Sequence, residues 1–371
     1  MGSSGLCKTL TAECSLSSFL PPLDFRVGFS PGHLVLSAEI SIDENFHSER
    51  VGSMIGRIWQ KLKRFFGYKS VASNPPYYSM GDLSDESSLV SADSSLGVVD
   101  FGQVSICGNF REHNEDSYFI SELDSDIPLY IVADGMGGQL GGEIASQMAI
   151  EVVPRELFKR NVGNFRTTQV IKAIRESISE ANQEIVTAST IQPQLTNMGT
   201  TVVLLLVRRG RAHVTNIGDS RCYRVRGNRA ELLTRDHSMA QALAEVGTIR
   251  QEDVPTHRYN HVLYLYLGSR EVDRGATQVK VMSLIEGDRF VVCSDGLSGV
   301  IGEAEMASIL KSEPSAQSAA QKLVDQAVSN RSRDNITCIV VNIGRLPGGP
   351  RPDSVEKLVA EGSPSHSPDP A

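Results

Sequence analysis

Acidic residues that could hold divalent cations recur at one kind of position, the end of an apolar run beside Gly or Asn. A single Asp-Gly is most often an ordinary β-turn, but five such sites next to strand-like runs weaken that explanation. Strand ends open to solvent, so carboxylates from neighbouring strands can converge there, and an adjacent Gly lets the backbone turn sharply. The five sites are Asn114-Glu115-Asp116, Ala133-Asp134-Gly135, Ile217-Gly218-Asp219, Ser294-Asp295-Gly296 and Arg333-Asp334-Asn335.

Converging carboxylates would repel one another and raise their own pKa values unless cations lay between them. A ligand set made of oxygens, without His or Cys, favours Mg²⁺ or Mn²⁺ over Zn²⁺. A carboxylate bridging two such ions makes a nucleophilic water possible. The spacing therefore predicts a hydrolytic metal centre.

The elements that must position these residues are short β-rich runs joined by tight turns. Close strand–turn–strand spacing favours antiparallel pairing, and separate helical patterns then predict an α+β layered sandwich. The predicted strands are Leu129–Ala133, Thr200–Val207, Ala212–Ile217, Ser220–Val225, Arg289–Ser294 and Ile336–Ile343. The predicted helices are Gly142–Phe158, Thr167–Ala188, Glu303–Leu310 and Ala316–Ser329.

Residues 98–345 resemble the metal-dependent protein serine/threonine phosphatases of the type 2C (PPM) family. The resemblance covers an ordered series of motifs, and its Asp-Gly-Met-Gly-Gly form is similar to the bacterial branch. The series comprises Arg111-x3-Glu115-Asp116-Ser117, Val132-Ala133-Asp134-Gly135-Met136-Gly137-Gly138, Gly142-Glu143-x-Ala145-Ser146, Gly199-Thr200-Thr201, Asn216-Ile217-Gly218-Asp219-Ser220-Arg221, Thr234-Arg235-Asp236-His237-Ser238, Ser294-Asp295-Gly296-Leu297 and Arg333-Asp334-Asn335-Ile336-Thr337.

The resemblance implies a fold and a role for each site residue. The fold would be two antiparallel β-sheets in a sandwich flanked by helices, an α-β-β-α arrangement with metals at one end. Asp134 would bridge two ions, Asp295 and Asp334 would complete one site, and Glu115 with the Gly135 carbonyl would serve the other. In addition, Asp116 would hold metal-bound waters directly or through a neighbour, Asp219 with Asp295 would form a weaker third site, and Arg111 would clamp the phosphate.

The implied reaction is hydrolysis of phosphoserine or phosphothreonine in proteins by a water bridging two Mn²⁺ or Mg²⁺ ions, without a phosphoenzyme intermediate. Its partners would be phosphoproteins made by a serine/threonine kinase in signalling. One alternative is the same metal chemistry on a small phosphate ester or a dedicated phosphoprotein regulator. Another is an inactive homologue that binds phosphoproteins.

Two positions depart from the family pattern. Some members have His directly after the Asp-Gly, where it is proposed as a general acid, but this chain has Met136, which cannot donate a proton. His113 is near in sequence, although a partly exposed loop histidine is the simpler interpretation. After the flap-like stretch Asp236–His261, a Thr-Arg pair is usual, and here the segment reads Tyr264-Leu265-Tyr266-Leu267-Gly268.

Composition excludes several classes of protein. The 371 residues carry 36 Lys+Arg against 44 Asp+Glu, a formal net charge of -8, which argues against a nucleic-acid binder. The sequence contains no run of about 18 apolar residues, so it predicts no membrane-spanning helix. The start lacks the pattern of a signal peptide, and the six cysteines form no CxxC pair. From the cysteine pattern we expect reduced thiols and a cytoplasmic protein. We also expect a monomer.

The pattern also divides the chain. Residues 1–97 read as a largely flexible N-terminal extension, 98–345 as the catalytic domain and 346–371 as a disordered Pro-rich tail. Within the extension, residues 50–69 hold six Lys/Arg, no acid and the only Trp, at the spacing of a basic amphipathic helix. That helix could dock on the catalytic domain, lie peripherally on an anionic membrane or bind a partner.

Overall fold

The computed structural model describes residues 24–30, 33–39, 93–122, 125, 127–137, 141–269, 272 and 277–346. The chain divides into two units, Met1–Ser73 and Asn74–Ala371. Within the first, β1 (Asp24–Ser30) and β2 (His33–Glu39) form an antiparallel hairpin that the sequence pattern did not predict. The predicted basic helix at 50–69 and the tail beyond Leu346 lie outside the described residues.

The second unit contains two antiparallel sheets. The first sheet is made of β3 (Leu96–Ile106), β9 (Arg221–Arg226), β10 (Arg229–Leu232), β12 (Arg289–Cys293) and β13 (Ile336–Arg345). The second is made of β4 (Asp116–Ile120), β5 (Leu129–Met136), β7 (Val202–Arg208), β8 (Arg211–Ile217) and β11 (Lys280–Ser283), and the short β6 (Gly199–Thr200) pairs with β5. The strand orders are β10-β9-β12-β13-β3 and β11-β8-β7-β5-β4.

Helices cover the outer face of each sheet. The helix Gly141–Lys159 packs on the helix Thr167–Ile191 and on β5, and the helix Ala316–Ser329 packs on β3 and β13. The α-helices of the described residues are α1 (Gly141–Lys159), α2 (Thr167–Ile191), α3 (Met239–Glu245), α4 (Asp295–Ser298), α5 (Glu303–Ser312) and α6 (Ala316–Ser329). Of these, α3 belongs to the flap-like stretch and does not cover a sheet. Across the described ranges, no helix combines the length and apolarity that crossing a membrane requires.

The core is layered because each sheet is covered on both faces. Along β5, Tyr130 and Val132 point into the cluster between the sheets, whereas Leu129 and Ile131 pack toward α1 and α2. Burial on both faces explains why the run is apolar at every position rather than at alternate ones. A third cluster lies between the first sheet and α5 and α6.

The predicted α-β-β-α sandwich is confirmed, and each predicted strand and helix has a counterpart in the structure. The pattern did not reveal β3, β4, β10, β11 or α3. The alternation in β3 is interrupted by Gly97, Gly102 and a bulge at Asn342/Ile343 of its partner strand. The strands β10 and β11 have only four residues each, too few for periodicity to emerge. The four cysteines in the described residues are free thiols, and three of them are buried.

A buried histidine in β8 should make stability depend on pH. Burial lowers the pKa of His213 from 6.5 to about 4, and Arg208 and Arg211 act in the same direction. The unfolded chain therefore binds more protons between these pH values, so folding stability falls as pH drops through this window. For His213→Leu, we expect the loss in the free energy of unfolding between pH 7 and pH 5 to be about 2 kcal/mol smaller than for the parent.

Urea unfolding of both chains at the two pH values measures this difference, because groups common to both chains cancel. Burial also lowers the pKa of His237 to about 4, so the variant should keep part of the histidine contribution. An identical loss for both chains would show that His213 does not control the pH dependence.

Candidate metal centre

The acidic residues of all five motifs lie at the same end of the two sheets. Asp116, the first residue of β4, lies directly opposite Asp134 near the end of β5. Asp219 follows β8 and Asp295 follows β12, whereas Asp334 precedes β13. Because neighbouring strands run antiparallel, the end of one strand and the start of the next meet at one edge.

Asp116 connects the two sheets. It is only 7% exposed, and its Oδ2 accepts a hydrogen bond of 2.7 Å from the Ser294 hydroxyl at the end of β12. The same hydroxyl accepts a hydrogen bond from the Thr337 backbone N–H at 3.1 Å. Burial raises the pKa of Asp116 to about 7, and the charges of Asp295 and Asp334 add to that rise.

Asp134 lies at the centre of the acidic group. Burial raises its pKa well above the ordinary value, and the carboxylates around it raise it further: Asp116, Asp295, Asp219 and Asp334. Its backbone is held on both sides, because Asp134 N–H donates to Thr201 Oγ1 at 3.0 Å and its carbonyl accepts from Thr201 N–H at 2.9 Å. The sheet therefore keeps this carboxylate among charges of the same sign.

Asp219 follows a tight turn after β8. Gly218 has φ +100, and a Cβ there would lie 2.6 Å from Thr201 Cγ2, so only glycine fits. Burial raises the pKa of Asp219 to about 8, with further contributions from Asp295 and Asp236. Asp236 itself is paired with Arg221, whose Nε and Nη2 lie 3.0 Å and 2.6 Å from its Oδ1 and Oδ2.

Gly135 allows β5 to approach the start of α1. A Cβ at this position would lie 2.1 Å from the Gly142 carbonyl oxygen and 2.7 Å from the Glu115 carbonyl oxygen. The Glu115 carbonyl accepts from Gly135 N–H at 3.2 Å and from Ser146 Oγ at 2.6 Å. The close approach brings the Gly135 backbone beside Glu115, and burial raises the pKa of the Glu115 carboxyl.

Asn335 ties the loop before β4 to the loop before β13. Its side-chain oxygen accepts from Glu115 N–H, and its amide donates to the carbonyls of Cys107 and His113, each at 2.9 Å. All three partners are more than 200 residues away in sequence. Asn335 is 4% exposed, and its side chain fixes the position of the loop that carries Arg111 and Glu115.

Arg111 and Asp334 form the exposed edge of the site. Arg111 Nη2 lies 2.6 Å from Asp334 Oδ2, and the two side chains are 49% and 34% exposed. The guanidinium therefore reaches the carboxylate group from solvent and brings positive charge to an otherwise acidic surface. A planar, permanently charged fork of this kind suits a phosphate.

The chemistry of this group fits hard divalent cations. The oxygens Asp116 Oδ1 and Asp295 Oδ1 are buried and have no hydrogen-bond partner among the described residues. Oxygen ligands without thiol or imidazole match Mg²⁺ or Mn²⁺. Within the described ranges, no three Asp, Glu, His or Cys side chains are already gathered as a metal cage. What favours a cation is thus the density of buried negative charge.

The structure also locates residues that sequence reasoning missed. Ser294 and Asn335 adjoin predicted acids, which could have marked them as candidates, but each positions a distant acid, Asp116 and Glu115 respectively. His261, in the flap-like stretch, places Nδ1 3.7 Å from Asp295 Oδ2, and the nearby Asp295 carboxylate raises the pKa of His261. No local signal pointed to His261, because the contact depends on how the stretch folds back.

The two departures from the family pattern have clear positions. Met136 ends β5, opposite Gly199 of β6, while His113 lies in the exposed loop that Asn335 holds. The flap-like stretch is anchored despite its unusual closing segment. Leu267 and Thr200 exchange backbone hydrogen bonds of 2.8 Å and 2.9 Å, and a Cβ on Gly199 would lie 2.6 Å from the Tyr266 ring.

Comparison with known proteins identifies the family. The family model described as Protein phosphatase 2C matches residues 111–337. The chain is 34% identical over 244 residues to the serine/threonine phosphatase Stp of Listeria welshimeri, covering 65% of this chain and 95% of that protein. It is 30% identical over 236 residues to the phosphatase PstP of Mycobacterium tuberculosis, covering 64% of this chain and 43% of that protein.

Solved structures of serine/threonine phosphatases superpose on this chain. The serine/threonine phosphatase of S. agalactiae superposes with a TM-score of 0.60 at 28% identity, covering 66% of this chain and 98% of that one. The catalytic domain of PstP, in complex with two manganese ions, superposes with a TM-score of 0.56 at 29% identity, covering 67% and 99%. The chain belongs to the protein phosphatase 2C family. It is a protein-serine/threonine phosphatase that depends on a divalent metal and acts on phosphoproteins.

Proposed function

We propose that residues 98–345 form the catalytic domain and hydrolyse phosphoserine and phosphothreonine with two divalent ions, without a phosphoenzyme intermediate. The observation that carries this proposal is the buried carboxylate group around Asp134, with unpartnered oxygens on Asp116 and Asp295. The exposed Arg111, in a salt bridge with Asp334, would supply a phosphate contact.

Each carboxylate has a distinct part in this proposal. Asp134 would bridge the ions, because it lies among four other carboxylates. One ion would be completed by Asp295 and Asp334, and the other by Glu115 and the Gly135 carbonyl. Asp116 would act through waters, since one of its oxygens is already bound by Ser294, and Asp219 with Asp295 would form a weaker third site.

The ions, when bound, would supply positive charge opposite the phosphate and a water of lowered pKa for direct attack on phosphorus. Arg111 would exchange its contact with Asp334 for two phosphate oxygens and orient them. Burial raises the pKa of Cys222, Cys293 and Cys338, which keeps these thiols neutral and unsuited to nucleophilic attack. Neutral thiols at these three positions agree with direct attack by water.

Removing the metal tests this function directly. The full chain should hydrolyse a phosphothreonine peptide with Mn²⁺. In EDTA the rate of hydrolysis should fall by more than about 100-fold, and it should recover when Mn²⁺ is restored in excess. Equilibrium metal titration should give two tightly bound ions per chain, with the weaker third site filling only at higher metal concentration. A phosphotyrosine peptide of the same sequence serves as the control substrate.

The outcomes separate the proposal from its alternatives. Hydrolysis that persists in EDTA would contradict the metal mechanism. Hydrolysis of p-nitrophenyl phosphate without hydrolysis of any phosphopeptide would favour a small phosphate ester as substrate. Peptide binding without turnover would favour an inactive homologue.

A further inference from the structure

Beside the salt bridge of Arg111 and Asp334 lies a second contact between the same two loops. Arg333 places its guanidinium carbon 5.8 Å from the ring centroid of Phe110. Phe110 directly precedes Arg111 in sequence, and Arg333 directly precedes Asp334. The two loops thus face each other through two adjacent side-chain pairs, one ionic and one cation–π. We call the cation–π pair of Phe110 and Arg333 the outer pair.

The outer pair is exposed where a folding contact would be buried. Phe110 is 58% exposed, and Arg333 is exposed as well. In the part of the chain that the structure describes, no carboxylate pairs with Arg333, so its charge is available to solvent. An exposed cation–π contact contributes only about 0.5–1 kcal/mol, which makes stability a weak reason for this pair.

The backbone beneath the outer pair is fixed. Asn335 bonds to the Cys107 and His113 carbonyls on either side of Phe110. Gly108 has φ +77, and a Cβ there would lie 2.5 Å from the Asp334 carbonyl oxygen. The two loops are therefore in direct contact, and the outer pair is held at a set position next to the phosphate-binding Arg111.

We propose that Phe110 and Arg333 form a specificity-determining rim that selects phosphopeptides with an acidic side chain next to the phosphorylated residue. This inference rests on the proposed function of the metal site. With the phosphate on Arg111, a neighbouring Asp or Glu would meet the Arg333 guanidinium. The Phe110 ring would limit the freedom of that guanidinium and contact the peptide through its exposed face.

Matched phosphothreonine peptides test the rim. Three peptides with Glu, Ala or Lys on both sides of the phosphothreonine differ only in charge, and p-nitrophenyl phosphate serves as a substrate too small to reach the rim. For the parent chain, we expect kcat/KM to be about tenfold higher for the Glu peptide than for the Lys peptide. Arg333→Ala should bring that ratio near one, and Arg333→Glu should invert it.

Two further variants sharpen the result. Phe110→Ala should reduce the Glu-to-Lys ratio about two- to threefold, because the guanidinium loses its stacking partner. Arg331→Ala removes another exposed Arg from the same loop and should leave the ratio unchanged. In every variant, kcat/KM for p-nitrophenyl phosphate should stay within about twofold of the parent.

The failures are distinguishable. A chain that hydrolyses none of the substrates, or no phosphopeptide, would contradict the proposed function itself. A parent that hydrolyses all three peptides at equal rates would overturn the rim while leaving the metal site intact. The rim would also be overturned if Arg333→Ala lowered the rates for all peptides and for p-nitrophenyl phosphate by the same factor.

Discussion

Asp134→Asn should abolish catalysis and at the same time stabilise the metal-free fold. Asparagine preserves the shape of the side chain but removes the negative charge that lies among four other carboxylates. We expect kcat/KM for a phosphothreonine peptide to fall by at least about 1,000-fold, because the residue proposed to bridge both ions can no longer do so. We expect the free energy of unfolding in EDTA to rise by about 1–3 kcal/mol, because like-charge repulsion is removed.

A buried carboxylate away from the site provides the control. Asp288 is 1% exposed and accepts hydrogen bonds of 2.6 Å and 2.8 Å from Arg226. Its charge is compensated, so Asp288→Asn should lose about 1–3 kcal/mol of stability and keep its rate per folded molecule. The two substitutions are chemically identical and should have opposite effects on stability.

Steady-state kinetics with Mn²⁺ and urea unfolding in EDTA measure both quantities. A loss of stability for Asp134→Asn would show that the carboxylate is compensated in the fold. An active Asp134→Asn chain would remove this residue from the metal centre.

Asn335→Ala should damage activity through position rather than chemistry. The amide makes three hydrogen bonds of 2.9 Å to the loop that carries Arg111 and Glu115. Truncation leaves one N–H and two carbonyls of that loop without these partners, so we expect a loss of about 3 kcal/mol in the free energy of unfolding. We also expect kcat/KM to fall about 100-fold, because small displacements of catalytic groups carry large costs in rate.

The strand that follows Asn335 offers a matched control. Asn342 of β13 also makes three side-chain hydrogen bonds, to Arg289, Asp100 and Pro314, but it lies at the opposite end of the strand from Asn335. Asn342→Ala should lose stability and keep its rate per folded molecule. Equal losses of kcat/KM for both variants would show that the rate follows global stability and not the position of the loop.

Much of the fold was predictable because burial leaves a mark on the sequence. The strand Leu129–Met136 is apolar at nearly every position since both of its faces are covered, and α2 and α6 carry amphipathic patterns of ordinary length. Short or interrupted elements leave no comparable mark, which is why β10, β11 and α3 were not predicted. The hairpin of β1 and β2 was missed in a stretch that was interpreted as a largely flexible extension.

The candidate site, like the fold, has a part that the sequence predicted and a part that it did not. The five acidic motifs were recognisable because a carboxylate beside Gly or Asn at a strand end is a local pattern. The partners that hold them were not, because the contacts of Asn335 and the contact of Ser294 with Asp116 span more than 170 residues. Neither the approach of His261 to Asp295 nor that of Arg333 to Phe110 follows from any spacing in the chain.

The sequence by itself determined the types of residue that could bind metal, their order, and the strands and helices that carry most of them. These are local properties, set by side-chain chemistry and by hydrophobic periodicity. Only the tertiary structure decided which carboxylates share a buried environment, as the raised pKa values of Asp116, Asp134 and Asp219 record. It alone also brought the exposed Arg333 to the Phe110 ring, next to the salt bridge of Arg111 and Asp334. Burial and electrostatic coupling depend on distances between strands, and strand pairing sets those distances across hundreds of residues.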